Sequence, residues 1–422
     1  MKAKIMVMFI LIFLFSLSSG GRGDSHETGK NLPVESALTP PKIEKLACQT
    51  TMEDTFSGKC KEFYEPEKCI CLESISFNHK SSINFDAIDI RMNDTDDVRI
   101  PEWEKGEKSF PAAYIQNKQI TVKAVFSAAD GIFNAKITAV TTSGYLDEII
   151  AGMVGFDRKS SLGSKVFHVT GTTPSQIRIF NQEWQWYCLE INNKKICPPK
   201  PIGRSKNKIF IVLSEPQYPW KRSGNKKPWA EVLDLACCWA NGQTTLEGAA
   251  KEITRHLYNE SGGQYGKDPH YTNGCTTQSF DLIRFLMNLE NKKVGGVNCC
   301  DMGKALVTFS NVIGCGLLYR LSNKFGKLYC IRTIGNSWWQ CSECFVEHAF
   351  GSIGDRIFDA SLKVDPGNHL EDSTHVGEWM INITWYDYRK KLVKDSSLPG
   401  YPDKYFFDIN KMNAPQKNVN TN

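Results

Sequence analysis

The chain has 422 residues, a formal net charge of +5 and 15 cysteines. That length accommodates two or three domains, each with its own core. So small a charge over so many residues excludes a nucleic-acid binder or a polybasic membrane protein. An exported protein pairs most of its cysteines, and an odd count leaves at least one thiol over.

Lys2 and Lys4 precede an apolar run from Ile5 to Leu17, which ends in Ser18-Ser19-Gly20-Gly21. This predicts a signal peptide over residues 1–20 and therefore a secreted, extracellular or periplasmic protein. No later stretch is apolar enough for an integral membrane segment. Residues 21–45 are polar and contain prolines, which reads as a flexible lead-in. Residues 46–220 read as a cysteine-containing, β-rich region. Ile120, Val122, Ala124 and Phe126 alternate, as do Ile177 and Ile179, and residues 208–213 form an apolar strand before Pro216. Short strands broken by Gly, Asn and Pro turns predict an N-terminal β-sandwich, immunoglobulin-like in kind. Within it, segments 186–191 and 194–197 form a hairpin turning at Asn192-Asn193. That pairing sets Cys188 opposite Cys197, at disulfide distance. The basic stretch 221–227 reads as a linker.

From Pro228 the texture becomes helical. Trp229, Val232, Leu233, Ala236 and Ala240 share a face, with Pro228 at the first helical position. Thr244 and Glu247 match a capping box ahead of Leu246, Ala250, Ile253 and Leu257. A third helix is predicted over 280–289. A fourth carries Met302, Leu306, Phe309 and Ile313 on one face, with Gly314 at its C-terminal cap. Strands over 317–321, 328–334, 345–353 and 356–363 follow. Helices followed by an antiparallel sheet predict an α+β domain over 228–422, including a C-terminal extension.

Three residues in this second half carry chemistry in one order: Cys299, His348 and Asp359. Cys299 starts the fourth helix and extends its buried stripe, whereas Cys300 points about a quarter turn away. The positive end of the helix dipole favours a thiolate there. Gly354-Asp355 joins two strands, and pairing Ile353 with Arg356 places Asp359 diagonal to His348 on the same face. A slip of one residue would send the two to opposite faces. A thiol, an imidazole to take its proton and a carboxylate to orient the ring make a nucleophilic triad.

The chain resembles the transglutaminase-like superfamily of thiol enzymes over roughly residues 229–364. Cys299, Asp301 and Gly314 fit its helix pattern and select Cys299 over Cys300. His348-Ala349-Phe350 fits its His-Ala-aromatic step, with Phe where Trp is more usual. Ile357-Phe358-Asp359-Ala360 fits its closing strand. The resemblance implies a papain-like core and attack by Cys299 on an amide, with a thioester passed to water or to an amine. It also implies an upstream aromatic or amide side chain as second oxyanion donor; Gln243, Tyr265 and Tyr271 all remain open. Hydrolysis is favoured over cross-linking of protein glutamines. The expected partner is a protein or peptide substrate, with no nucleic acid, and no cofactor or metal is called for. The competing expectation is a non-catalytic secreted adhesion module, with Cys299 disulfide-bonded or Asp359 turned away from His348.

Overall fold

The computed structural model describes residues 70–80, 86–92, 96–220, 226–277, 279–323, 325, 327–335, 338–339, 347–365, 377–394 and 402–409. The expected signal peptide and lead-in, and residues 221–225 of the basic stretch, lie outside the described residues. The described residues fall in one unit, Thr51–Asn422. No helix among them is long and apolar enough to cross a membrane.

Alternation builds the N-terminal part. Strands Trp103–Glu104, Ile70–Ser76, Thr121–Ala128 and Leu162–His168 form one sheet in that order. Strands Ala112–Ile115, Lys194–Val212, Arg178–Ile191, Asn134–Ser143 and Ile149–Gly155 form a second. Their inward residues, among them Val122, Ala124, Phe126 and Phe167 from one sheet and Ile137, Trp184 and Trp186 from the other, make a common core. Phe126 meets Trp186 edge-on at 5.5 Å between ring centroids. The result is a β-sandwich. The run from Ile209 to Val212 is continuously apolar because both its faces are covered. Ile209 and Ile211 enter the sandwich core. Phe210 and Val212 face the helical layer and join a second core with Trp229, Val232, Leu233 and Ala236. Lys226 and Lys227 at the junction are tied down, the first to Asp408 and the second to Asp97 at 3.5 Å.

The expected disulfide between Cys188 and Cys197 is corrected. The Asn192-Asn193 turn forms, with φ of +48° and +63°, and Ile191 pairs with Lys194. The register then shifts between Cys188 and Glu190, so Cys188 opposes Lys200. Its thiol donates to the Glu190 carbonyl at 3.3 Å. An irregularity of this kind moves every later residue out of the register set by the turn.

The second part layers helices on a sheet. Ala230–Trp239, Leu246–Glu260, Leu282–Glu290 and Cys299–Val312 are helical. Two predicted starts move by a residue or two. The first helix begins at Ala230, after Trp229, rather than at Pro228. The second is capped by Thr245, whose Oγ1 accepts from Gly248 N at 3.1 Å, rather than by Thr244. The sheet runs in the order Trp338–Trp339, Cys330–Thr333, Arg356–Asp365, Glu347–Ile353, Leu318–Asn323, Asp403–Tyr405, with Glu378–Thr384 also paired to Arg356–Asp365. The 14 residues of the Cys299 helix are all buried, because other helices pack on one side and the sheet on the other. Gly303 permits that approach. A Cβ there would lie 2.9 Å from the Tyr319 ring and 3.4 Å from the Ala349 backbone. Gly314 ends the segment at φ +88°, where a Cβ would meet the Ser214 carbonyl oxygen at 2.5 Å.

Candidate active site

The site is built from the start of the Cys299 helix. Asn298 caps it: Oδ1 accepts from Cys300 N at 3.0 Å and Asp301 N at 3.2 Å, while the Asp301 carboxylate accepts from Asn298 N at 3.4 Å. This reciprocal box leaves the Cys299 N–H, a first-turn donor, outside it. Cys299 carries a free thiol and is 5% exposed.

Three attachments fasten the loop 270–279 to this helix. Cys300 is disulfide-bonded to Cys275. Asp301 accepts from the backbone N–H of His270 at 2.7 Å and of Tyr271 at 2.9 Å, and burial pushes its carboxyl up to about 6. Lys304 is fully buried and donates to Thr272 Oγ1 at 2.6 Å, Thr277 O at 2.7 Å, Gly274 O at 3.1 Å and Ser279 O at 3.2 Å. Burial pulls its ammonium down to about 7 against the opposing charge of Asp301. Asp301 is therefore a latch between loop and helix. Cys275→Ser is expected to lower unfolding stability by about 3 kcal/mol, because it opens a loop of some 25 residues in the unfolded chain. Urea denaturation checks this.

The hairpin pairs as the turn requires: Ile353 with Arg356, Ser352 with Ile357 and Gly351 with Phe358. His348 and Asp359 thereby share a face and are both fully buried, with His348 Nε2 2.7 Å from Asp359 Oδ2. Burial alone would lower the imidazole pKa. The Asp359 charge, and then the Cys299 side chain, outweigh burial and push it up to about 10. Burial likewise opposes ionisation of Asp359, but His348, Ser361 and Tyr388 together hold its carboxyl below the usual carboxylate range. Oδ1 accepts from Ser361 N at 2.8 Å and from Ser361 Oγ at 2.6 Å. The structure thus sets His348 between the Asp359 carboxylate, which it hydrogen-bonds, and the Cys299 side chain, which acts on it electrostatically.

A fourth group was not distinguishable by its local sequence. Strand Gly263–Tyr265 runs parallel to Gly295–Val297, with Tyr265 opposite Val297. This sets the half-buried Tyr265 beside the helix start. Burial first, and then the Cys299 charge and side chain, raise its phenol well above the ordinary value. The Cys299 backbone N–H hydrogen-bonds the same hydroxyl. The pairing joins segments far apart in the chain, so periodicity carries no trace of it. Gln243 lies elsewhere, its backbone carbonyl accepting from Ile177 N at 2.9 Å. The Tyr271 hydroxyl is committed to the Val294 carbonyl at 2.6 Å. A soft metal finds no ligand set here: the sulfurs of Cys275, Cys299 and Cys300 lie within 4.8 Å of one another, but two of them are bonded together.

Among solved structures, the chain is similar to red sea bream transglutaminase, with 8% identity and a TM-score of 0.31, over 59% of this chain and 49% of that one. It therefore spans about half the length of that structure. No family model matches the chain, and no curated protein matches it. A likeness this slight decides neither fold nor chemistry, so both rest on the residues themselves.

Proposed function

We propose that this chain is a secreted thiol enzyme of transglutaminase-like type that cleaves amide bonds of a protein or peptide through Cys299, His348 and Asp359. One observation carries the reading: a buried His348 that hydrogen-bonds Asp359 and is acted on by the Cys299 side chain at the amino end of a helix. His348, held protonated beside Asp359, keeps the proton away from the Cys299 sulfur as that sulfur attacks the amide carbon. The negative charge on the carbonyl oxygen is met by the Cys299 N–H, once it exchanges the Tyr265 oxygen for the substrate, and by the Tyr265 hydroxyl beside it. The C–N bond then breaks, His348 gives its proton to the departing nitrogen, and a thioester remains. Water attacks the thioester with His348 as base, releasing acid and restoring the thiol.

A thiol on a residue only 5% exposed is reached more readily by a carboxamide on a side-chain stem than by a main-chain bond in a folded segment. The substrate class is therefore a flexible, glutamine-like side chain or a loose peptide. The N-terminal sandwich is read as immunoglobulin-like, because its first strand of the second sheet, Ala112–Ile115, runs parallel to the last, Lys194–Val212.

A glutamine-containing peptide, incubated with and without a primary amine, tests the reaction. Release of ammonia and free acid is expected to exceed amine incorporation. The reverse ratio would make the enzyme a cross-linking transferase, and neither product would leave a non-catalytic module. Tyr265→Phe is expected to lower kcat about 100-fold if the phenol supplies the second oxyanion donor. Steady-state kinetics against the wild type reads that directly.

A further inference from the structure

We propose that Tyr388, delivered by the C-terminal helix Trp385–Leu392, is a positioning residue for the His348–Asp359 pair. The inference rests on the reaction proposed above and extends the site beyond the stretch that carries the family pattern. Tyr388 is fully buried, and its hydroxyl donates to Asp359 Oδ2 at 2.7 Å. That is the same oxygen that takes His348 Nε2 at 2.7 Å. With the two bonds from Ser361 to Oδ1, the carboxylate has four donors, one of them from a helix outside the hairpin. The Tyr388 ring also lies nearly parallel to the imidazole, at 15° and 6.5 Å between centroids, and packs on Phe350 at 5.2 Å.

The helix is set in place at both ends. Thr384 caps it by accepting from Asp387 N at 3.1 Å, and Trp385 N donates to the Asp355 carbonyl in the hairpin turn at 2.9 Å. At the far end the Leu392 carbonyl accepts from Tyr329 N at 2.9 Å. Such anchoring aims one hydroxyl at one carboxylate oxygen. Burial and the Asp359 charge hold the phenol well above its ordinary range, so it stays a donor.

A donor on Oδ2 does two things. It fixes the carboxylate plane, which fixes the ring plane of His348. It also draws charge from the oxygen that His348 leans on, so it moderates the hold on the imidazolium proton. The other titratable groups acting on the pair are Cys299 from the helix start, Tyr265 from the short parallel strand and Tyr258 from the Leu246–Glu260 helix. Tyr388 itself acts on Cys299 and Tyr265 through space, and Tyr388→Phe leaves all three of those side chains chemically unchanged.

Tyr388→Phe isolates the hydroxyl, and Trp385→Phe trims the packing of the same helix while leaving that hydroxyl in place. Tyr388→Phe is expected to lower kcat about tenfold with KM within about twofold, a split that reports on the reacting state rather than on substrate binding. It is also expected to raise the His348 pKa, read by NMR of the imidazole in the free protein without any substrate. Trp385→Phe is expected to lower the thermal midpoint and leave the imidazole titration where it is. An unmoved titration in Tyr388→Phe, or an equal shift in both variants, overturns the proposal. Should Tyr388→Phe fail to fold, 3-fluorotyrosine at 388 strengthens the donor and is expected to shift the titration downward; no shift overturns the proposal equally. Because the titration needs no turnover, it stands apart from the reaction. A Cys299→Ala protein that retained full activity would sink the proposed function and leave the titration result intact.

Discussion

Cys299→Ala is expected to remove amide cleavage altogether, a fall of at least about 10⁴-fold in kcat/KM, while the protein folds as before. The size follows from the division of labour in a triad. Without the sulfur there is no thioester, and the remaining groups can only orient water beside a polarised carbonyl. The fold should survive because the cap of this helix belongs to Asn298 and Asp301, and the latch to the neighbouring loop belongs to Cys300, Asp301 and Lys304. Ala also adds no atom to a fully packed helix. Ammonia release from a glutamine peptide, together with circular dichroism, checks both halves. Activity persisting in Cys299→Ala, and lost in a variant of another cysteine, would reassign the nucleophile.

Asp359→Ala should produce the second large effect, on stability as well as rate. His348 and Asp359 are both fully buried, and removing the carboxylate strands an imidazole that the fold holds as a cation. Breaking a buried pair in this way costs about 3–5 kcal/mol. The hydroxyls of Ser361 and Tyr388 lose their acceptor as well. Turnover is expected to drop about 10⁴-fold, because the ring loses both its orientation and the charge that stabilises its protonated form.

The pH dependence gives this pair a distinct signature. The folded-state pKa of His348 is raised from 6.5 to about 10. Its stabilising contribution is therefore complete below the unfolded value near 6.5 and is lost as pH rises through the folded value. Wild-type stability should decline on the alkaline side accordingly, and Asp359→Ala should lack that decline. Urea midpoints measured from pH 6 to pH 10.5 decide it. Parallel curves for the two proteins would mean that the pair is uncharged in the fold.

The legible part of the site was local. The Gly354-Asp355 turn and the alternation on either side of it set the register that puts His348 and Asp359 on one face, and the hairpin pairs that way. Helical spacing distinguished Cys299 from Cys300, and Cys300 is spent on Cys275. The same kind of reading misplaced Cys197 opposite Cys188, since an irregularity between Cys188 and Glu190 is invisible to a rule that counts outward from a turn. It could not choose among Gln243, Tyr265 and Tyr271 either, because the choice depends on a parallel pairing between segments distant in the chain.

What residue order alone determined here is the periodicity of each element and therefore which side chains share a face: a thiol on a helix start, and an imidazole and a carboxylate in phase on a hairpin. Only the tertiary structure decided what those faces meet. It set Tyr265 at the helix start, Cys275 on Cys300, and Tyr388 on the Asp359 oxygen that His348 holds. The physical reason is one of range. Backbone geometry repeats over a few residues and leaves its mark in the local pattern, whereas contacts between remote segments are selected by packing of the whole core.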